Sequence, residues 1–260
     1  MNPDWLRPDW PAPEHVAAIC TTRAGGFSTG SYESLNLGDH VGDAAEAVAA
    51  NRRVLSEALG SRPVFLQQVH GRQIVVLDRA TPDGTQADGC IATQSGVACT
   101  IMVADCLPVL FTNAQGTAVA AAHAGWRGLA DGVLAAVHER FEALGHAGRA
   151  AVAMDTMAWL GPCIGPQAFE VGMEVKVAFE ARDPLSAGLF RPHPQRHAQG
   201  KWLADLAGLA RRQLHTLGIT RIHGNDGSDA WCTVGQASRF FSHRRDRVSG
   251  RLAACVWLQV

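Results

Sequence analysis

"VACTIMVADCLPVLFTN", residues 97–113, is an almost unbroken apolar run, interrupted only at Asp105–Cys106 and at Pro108. So long a run without polar punctuation belongs in the interior of a sheet, as two buried strands or one strand bent at the interruption. "TAVAAAHA" (117–124) follows as another buried strand. Any fold for this chain must therefore bury several consecutive strands and place a carboxyl and a thiol at a break between them.

The remaining segments supply the cover. Residues 15–22, 64–69 and 72–78 read as strands, with His70–Gly71 marking a strand end, and 150–160 and the closing "RLAACVWLQV" as further strands. "DAAEAVAANRRVLSEALG" (43–60) has an Asp43 cap, helically spaced apolar residues and a terminal glycine, and helices are also expected over 128–144, 168–181 and 202–217. No fixed-period repeat, low-complexity linker or composition break divides the chain. The expectation is one α/β domain with a mixed sheet over 1–260, residues 1–14 forming an extended N-terminal segment.

A chain of 260 residues, 47% hydrophobic and 18% charged, can bury roughly 70–75% of its unfolded surface without disulfide staples. Its formal net charge of -1 offers no broad field for nucleic acid or an anionic membrane. The opening residues lack a basic stretch followed by an apolar one, and the seven cysteines contain no CxxC pair. A cytoplasmic protein is expected, most of its cysteines serving as small core residues.

In "AAAHAGWRGLADGV" (120–133) a buried strand runs into a helix through Gly125 and Gly128. The turn has two readings. Unsatisfied N–H groups together with Arg127 make an anion cradle, or the turn is ordinary, with Trp126 packing and Arg127 in a surface ion pair. His70, Cys106 and His123 all fall at strand ends or breaks beside Gly, Asp or Pro. Two imidazoles and a thiolate would fill three positions around Zn²⁺ and leave a fourth open, as catalytic sites do, whereas a core cysteine and hydrogen-bonded histidines are the plainer alternative.

Seven blocks in register, "TTRAGGFS" (21–28), "LNLGDHVGD" (35–43), "LQQVHG" (66–71), "ADCLPVLF" (104–111), "HAGWRGL" (123–129), "GPCIGPQAFEVG" (161–172) and "FFSHRRD" (240–246), resemble the YfiH-type purine nucleoside phosphorylase family, formerly labelled laccase-domain or polyphenol oxidase. The resemblance implies the family's own single-domain α/β fold and zinc held by His70, Cys106 and His123. It also implies phosphorolysis of adenosine, inosine, guanosine or methylthioadenosine to base and ribose 1-phosphate, with adenosine deamination as a second reaction. The segment around Asp226–Cys232 is longer than the family's compact form, which puts the role of Cys232 in question.

On that basis Arg127 is the expected phosphate contact and Asp105 an acid, base or ligand-orienting group, or else a cap for the strand break. Gln68 shares the parity of His70 and is the glutamine placed to read a purine edge. Arg23 is a second phosphate candidate. In "FFSHRRD" a core Phe pair lies beside a basic turn from which Arg244 is the candidate substrate contact. Cys163 lacks a base partner and is not expected to be a nucleophile.

Two other enzyme classes use the same ligands: a metallohydrolase acting on an amide such as a cell-wall precursor, and a copper-dependent polyphenol oxidase. None of the 11 histidines stands two residues from another, so the paired imidazoles of multicopper centres are missing, although copper is expected to compete for the three ligands in vitro. A binding module without catalysis would have no use for an open metal corner. The expected partners are a purine nucleoside and phosphate, with no nucleic acid and no membrane, and the expected state is a monomer or small homo-oligomer.

Overall fold

The apolar run divides at its polar break because the two halves enter different sheets. In the computed structural model, which describes residues 2–144 and 148–259, the strands are β1 (Val16–Cys20), β2 (Arg62–Phe65), β3 (Ile74–Val76), β4 (Gly89–Ala92), β5 (Val97–Val103), β6 (Leu107–Asn113) and β7 (Val119–Ala124), then β8 (Thr156–Leu160), β9 (Glu170–Val171), β10 (Phe190–Pro192), β11 (Trp202–Ala204), β12 (Arg221–Gly224) and β13 (Leu252–Leu258). The helices are α1 (Ala45–Leu59), α2 (Trp126–Asp131), α3 (Val133–Leu144), α4 (Arg149–Asp155), α5 (Met173–Glu180), α6 (Leu206–Thr216) and α7 (His243–Asp246). Strand β5 lies in a four-stranded sheet of order β1-β13-β5-β2, whereas β6 lies in a six-stranded sheet of order β12-β8-β6-β7-β4-β3. Residues Ala104, Asp105 and Cys106 carry the chain across, which makes the run two strands rather than one bent one.

Alternating residues of these strands serve different cores. From β13, Leu252, Ala254 and Val256 join Ile101, Leu110, Val119 and Trp159 between the sheets, while Ala253, Cys255 and Trp257 pack with Leu55 and Leu59 of α1. From the six-stranded sheet, Val109, Phe111, Ala120 and Ala122 meet Leu134, Val137 and Phe141 of α3 and Leu209 and Leu214 of α6. The order is helix, sheet, sheet, helices. Covering both faces of both sheets is what demands strands that are apolar on each side, and each large side chain so buried contributes about 1.5–3 kcal/mol.

The mixed α/β class is as expected, but several boundaries move. Ala-rich residues 149–155 form α4, so the strand expected from 150 begins only at Thr156. The helices expected over 168–181 and 202–217 each begin with a short strand, β9 or β11, of a three-stranded antiparallel sheet. Asp205 then starts α6 by accepting the Gly208 N–H at 2.8 Å. The 128–144 helix starts earlier, at Trp126, and breaks at Gly132, whose φ of 97° ends α2.

Asp43 does not cap α1. Ala44 occupies that position without a side-chain cap, and the Asp43 carboxylate instead accepts from Ser28 Oγ and Asn36 Nδ2. The N-terminal residues described carry one bridge, Leu6 to Cys20, and bury Trp5 beneath α1. No helix of the described residues is long and apolar enough to cross a membrane.

Candidate metal centre

Strand register assembles the centre at one end of the six-stranded sheet. Pro108 pairs with His123 and Gly89 with Ala122, so Cys106 just before β6, His123 in β7 and Asp88 just before β4 fall side by side. His70 arrives from the loop between β2 and β3. The donor atoms of His70, Cys106 and His123 all lie within 4.8 Å of one another, the one such group of three or more among the described residues. Cys106 Sγ is 3.8 Å from His70 Nε2, and the two imidazoles meet edge to face with centroids 4.7 Å apart. Two imidazole nitrogens and a thiol converging this closely suit a borderline divalent ion with one position to spare.

Asp88, which the sequence reading missed, organises the set. It is fully buried, and its Oδ1 accepts from His123 Nδ1 at 2.8 Å and from the His70 N–H at 2.8 Å. Its Oδ2 accepts the N–H groups of Val69 and Gly71 at 3.1 and 2.7 Å. One carboxylate thus turns His123 Nε2 toward the cysteine and holds the whole 69–71 turn. The available signal was Asp88 itself, since a carboxylate entering a buried strand has to find partners. Burial pushes its pKa up, but the hydrogen bonds from His123, Gly71 and Val69 outweigh that and hold it below the usual carboxylate range.

The same balance acts on the ligands. Burial resists ionisation of the Cys106 thiol, yet the charge and hydrogen bonds of His123 and His70 bring its pKa down to about 6. Burial opposes a charge on His123, yet the Cys106 charge and the Asp88 hydrogen bond raise it to about 9. Both shifts favour the charged form, a thiolate beside an imidazolium.

The motif glycines prove to be packing requirements. A Cβ on Gly125 would stand 2.9 Å from Cys106 Sγ and 3.0 Å from His70 Cδ2, and one on Gly128 would stand 2.7 Å from the Gly71 carbonyl oxygen. They let α2 press against the His70 turn.

The trio opens into a cavity of about 800 Å³ walled by Trp126, Ile164, Phe169 and Leu206, with Arg244, Arg247 and Arg251 also on its lining. All three non-glycine residues of positive φ among the described residues, His70 (61°), Asp105 (88°) and Arg247 (63°), line it. Strain of this kind concentrates where function requires a particular aim.

The other candidates fare differently. The Asp105 carboxylate is hydrogen-bonded on both oxygens: its Oδ1 accepts the Thr233 hydroxyl and its Oδ2 the Arg244 N–H, each at 2.6 Å. Both oxygens are thereby committed to holding the left-handed turn before Cys106. Gln68 lines the cavity but ties its amide to the backbone, its Nε2 donating to the Met102 carbonyl and its Oε1 accepting the Met102 N–H, both at 2.8 Å. Arg23 lies outside the cavity lining and spans two loops, donating to the carbonyls of Glu33 and Ala237. Arg127 is exposed, stacks 4.5 Å above the Trp126 ring and faces a neighbouring hollow of about 660 Å³ rather than the cavity of the trio.

Arg244 does reach the cavity, held near the Phe169 ring by a hydrogen bond to the Glu170 carbonyl at 3.1 Å. Phe240 and Phe241 are core residues with no exposure. Cys163 is buried and its thiol pushed well up by that burial. Cys232 serves the fold, its Sγ accepting from the N–H groups of Gly165 and Gly235 at 3.3 Å.

Comparison with known proteins agrees with this architecture. A family model described as multi-copper polyphenol oxidoreductase laccase matches residues 17–259. A Pseudomonas aeruginosa protein named purine nucleoside phosphorylase is 48% identical over 255 residues, 98% of each chain. The Escherichia coli protein named purine nucleoside phosphorylase YfiH is 45% identical over 253 residues, 96% of this chain and 97% of its own. Among solved structures, a Neisseria meningitidis protein of the DUF152 family superposes with a TM-score of 0.88 at 44% identity, covering 99% of this chain and 100% of that one. YlmD from Geobacillus stearothermophilus does so with a TM-score of 0.88 at 32% identity, covering 98% of this chain and 96% of its own.

Proposed function

The chain belongs to the YfiH-type family described as multi-copper polyphenol oxidoreductase laccase, and from that premise we propose that it is a metal-dependent purine nucleoside phosphorylase. The observation that carries the reading is the convergence of two imidazoles and one thiol on a cavity with an apolar wall. The relatives' names supply the reaction class.

The reaction joins a phosphate oxygen to C1′ of the ribose and breaks the bond from C1′ to the purine. The bonding pair leaves with the purine nitrogen, which takes the proton of the hydrogen phosphate. His70, Cys106 and His123 would hold the ion, proposed to be Zn²⁺, which supplies Lewis-acid polarisation at its open corner. Asp88 keeps the ligands aimed, so no reorganisation is needed during the reaction. Trp126 and Phe169 give the cavity an aromatic wall suited to a flat purine, and with Ile164 and Leu206 would exclude water from the bond being broken.

Adenosine, inosine, guanosine and methylthioadenosine are the proposed substrates, with adenosine deamination as a second reaction of the same centre. The reading extends to one catalytic domain in the cytoplasm, acting as a monomer or small homo-oligomer. Its cysteines are all free thiols, in keeping with a reducing compartment. A single three-donor group among the described residues speaks against multicopper oxidation, which needs several copper sites.

Metal-defined protein incubated with adenosine, with and without phosphate, tests the proposal by following adenine, ribose 1-phosphate and inosine. Adenine release that requires phosphate is expected. Inosine alone would reduce the activity to deamination, and no turnover of any nucleoside would sink the reading.

A further inference from the structure

Arg251 is a cation on the cavity wall with no ion-pair partner among the described residues. Its Nη1 donates to the carbonyls of Ser249 and Gly250 at 2.8 and 3.1 Å, and its backbone N–H donates to Asn36 Oδ1 at 2.8 Å. Its aliphatic stem lies so close to Gly38 that a Cβ there would stand 2.7 Å from Arg251 Cγ. The side chain is therefore held in place. Its Nε and Nη2, the planar edge that can donate two parallel hydrogen bonds, have no acceptor among the described residues.

Nearby carboxylates are committed elsewhere. Asp39 pairs with Arg52 at 3.1 Å, and Asp105, which accepts from the Thr233 hydroxyl and the Arg244 N–H, acts on Arg251 through its charge without a direct hydrogen bond. Burial pulls the Arg251 pKa below the ordinary guanidinium value, and the opposing charges are Cys106, Asp105 and Tyr32. Leaving a partly buried guanidinium without a full counter-charge costs free energy. Arg247 adds a second cation to the same lining, its side chain having no hydrogen-bond partner among the described residues and its backbone held at a φ of 63°.

We propose that the free Nε–Nη2 edge of Arg251, with Arg247 on the same cavity lining, is the binding site for the inorganic phosphate that attacks the nucleoside. Phosphate offers two oxygens at the spacing a guanidinium fork requires, and its charge supplies the direct ion pair that Arg251 does not make among the described residues. The site moves the phosphate role from Arg127 and Arg23 to the chain segment just before β13. This inference rests on the phosphorylase reading for its ligand, although the anion site itself does not.

The test compares full-length, metal-loaded wild type with Arg251→Met and Arg251→Lys, measuring KM for phosphate and for adenosine, metal content, and direct phosphate binding by phosphorus NMR line broadening. In Arg251→Met the phosphate KM should rise about tenfold or more, the adenosine KM should move far less, and broadening should fall. The lysine variant keeps the charge without the fork, so it should recover part of the loss. A phosphate KM and line width equal to wild type in Arg251→Met would overturn the inference while leaving the phosphorylase reading intact.

Should wild type show no phosphate-dependent turnover, that reading fails separately and line broadening alone decides. A loss in Arg251→Met then still supports the site, and no difference overturns it. If circular dichroism shows the methionine variant to be unfolded, the lysine variant carries the test, with an unchanged phosphate KM or, where there is no turnover, unchanged broadening as the overturning result.

Discussion

Asp88 Oδ1 lies 2.8 Å from His123 Nδ1, and the same carboxylate receives three consecutive backbone N–H groups of the turn that presents His70. Two candidate ligands from distant parts of the chain thus share one anchor. Asp88→Asn keeps the shape but puts donors where acceptors are needed. Metal affinity should drop about 10–100-fold, read by competition with a chelator, and stability should fall by about 1–3 kcal/mol, read by denaturant unfolding. Unchanged affinity would show that the histidines are aimed by packing alone.

Cys106→Ala removes the sulfur from the donor set while leaving a small residue in the turn before β6. We expect metal content to fall below one equivalent and phosphorolysis to drop by about 10² or more, with the far-ultraviolet circular dichroism spectrum retained. Full metal occupancy in this variant would show that the thiol is not a ligand.

Gly125→Ala and Gly128→Ala separate two kinds of crowding. The first meets side-chain atoms of the ligands, Cys106 Sγ and His70 Cδ2, and the second meets backbone, the Gly71 carbonyl oxygen. The Gly125 variant should lose metal more than stability. The Gly128 variant should lose about 1–3 kcal/mol as the His70 turn is displaced. Melting temperature and metal content, measured together on both, check the distinction.

Metal-free protein should react with iodoacetamide chiefly at Cys106. Its pKa, brought down to about 6, makes the thiolate predominate above that pH and the inert thiol below it. Cys163 and Cys255 are buried and have pKa values pushed the other way. Peptide mapping across pH 5–8 should show alkylation of Cys106 rising through about 6 and metal protecting it. Reaction rising only above pH 8 would mean that the imidazoles do not stabilise the thiolate.

Gln68→Ala should cost stability rather than alter base preference. Strand β2 ends at Phe65, paired with Thr100 of β5, and the Gln68 amide bonds both Met102 backbone groups just beyond. Removing it leaves two strand-edge groups without that partner, at about 1–3 kcal/mol. The ratio of adenosine to inosine turnover should stay at the wild-type value. A changed ratio would return Gln68 to the purine site.

The donor types were legible in the chain because each sits at a discontinuity: His70 and Gly71 between strands, Cys106 at the polar break of an apolar run, His123 before a glycine turn. Local periodicity also announced the buried strands. It failed at 150–155 and at the starts of α5 and α6, where short apolar stretches suit strand and helix alike and tertiary partners choose between them.

By itself the sequence determined that the chain would bury mixed strands and helices and would carry two imidazoles and a thiol at their ends. Only the tertiary structure decided that Asp88 anchors two of those candidate ligands, that Arg127 lines a neighbouring hollow, that Gln68 closes a strand edge, and that Arg251 lies on the cavity lining without an ion pair among the described residues. The reason is physical. Side-chain alternation and capping act over a few neighbouring residues, whereas each of these relationships depends on the register between strands, or the packing of loops, brought together from far apart in the chain.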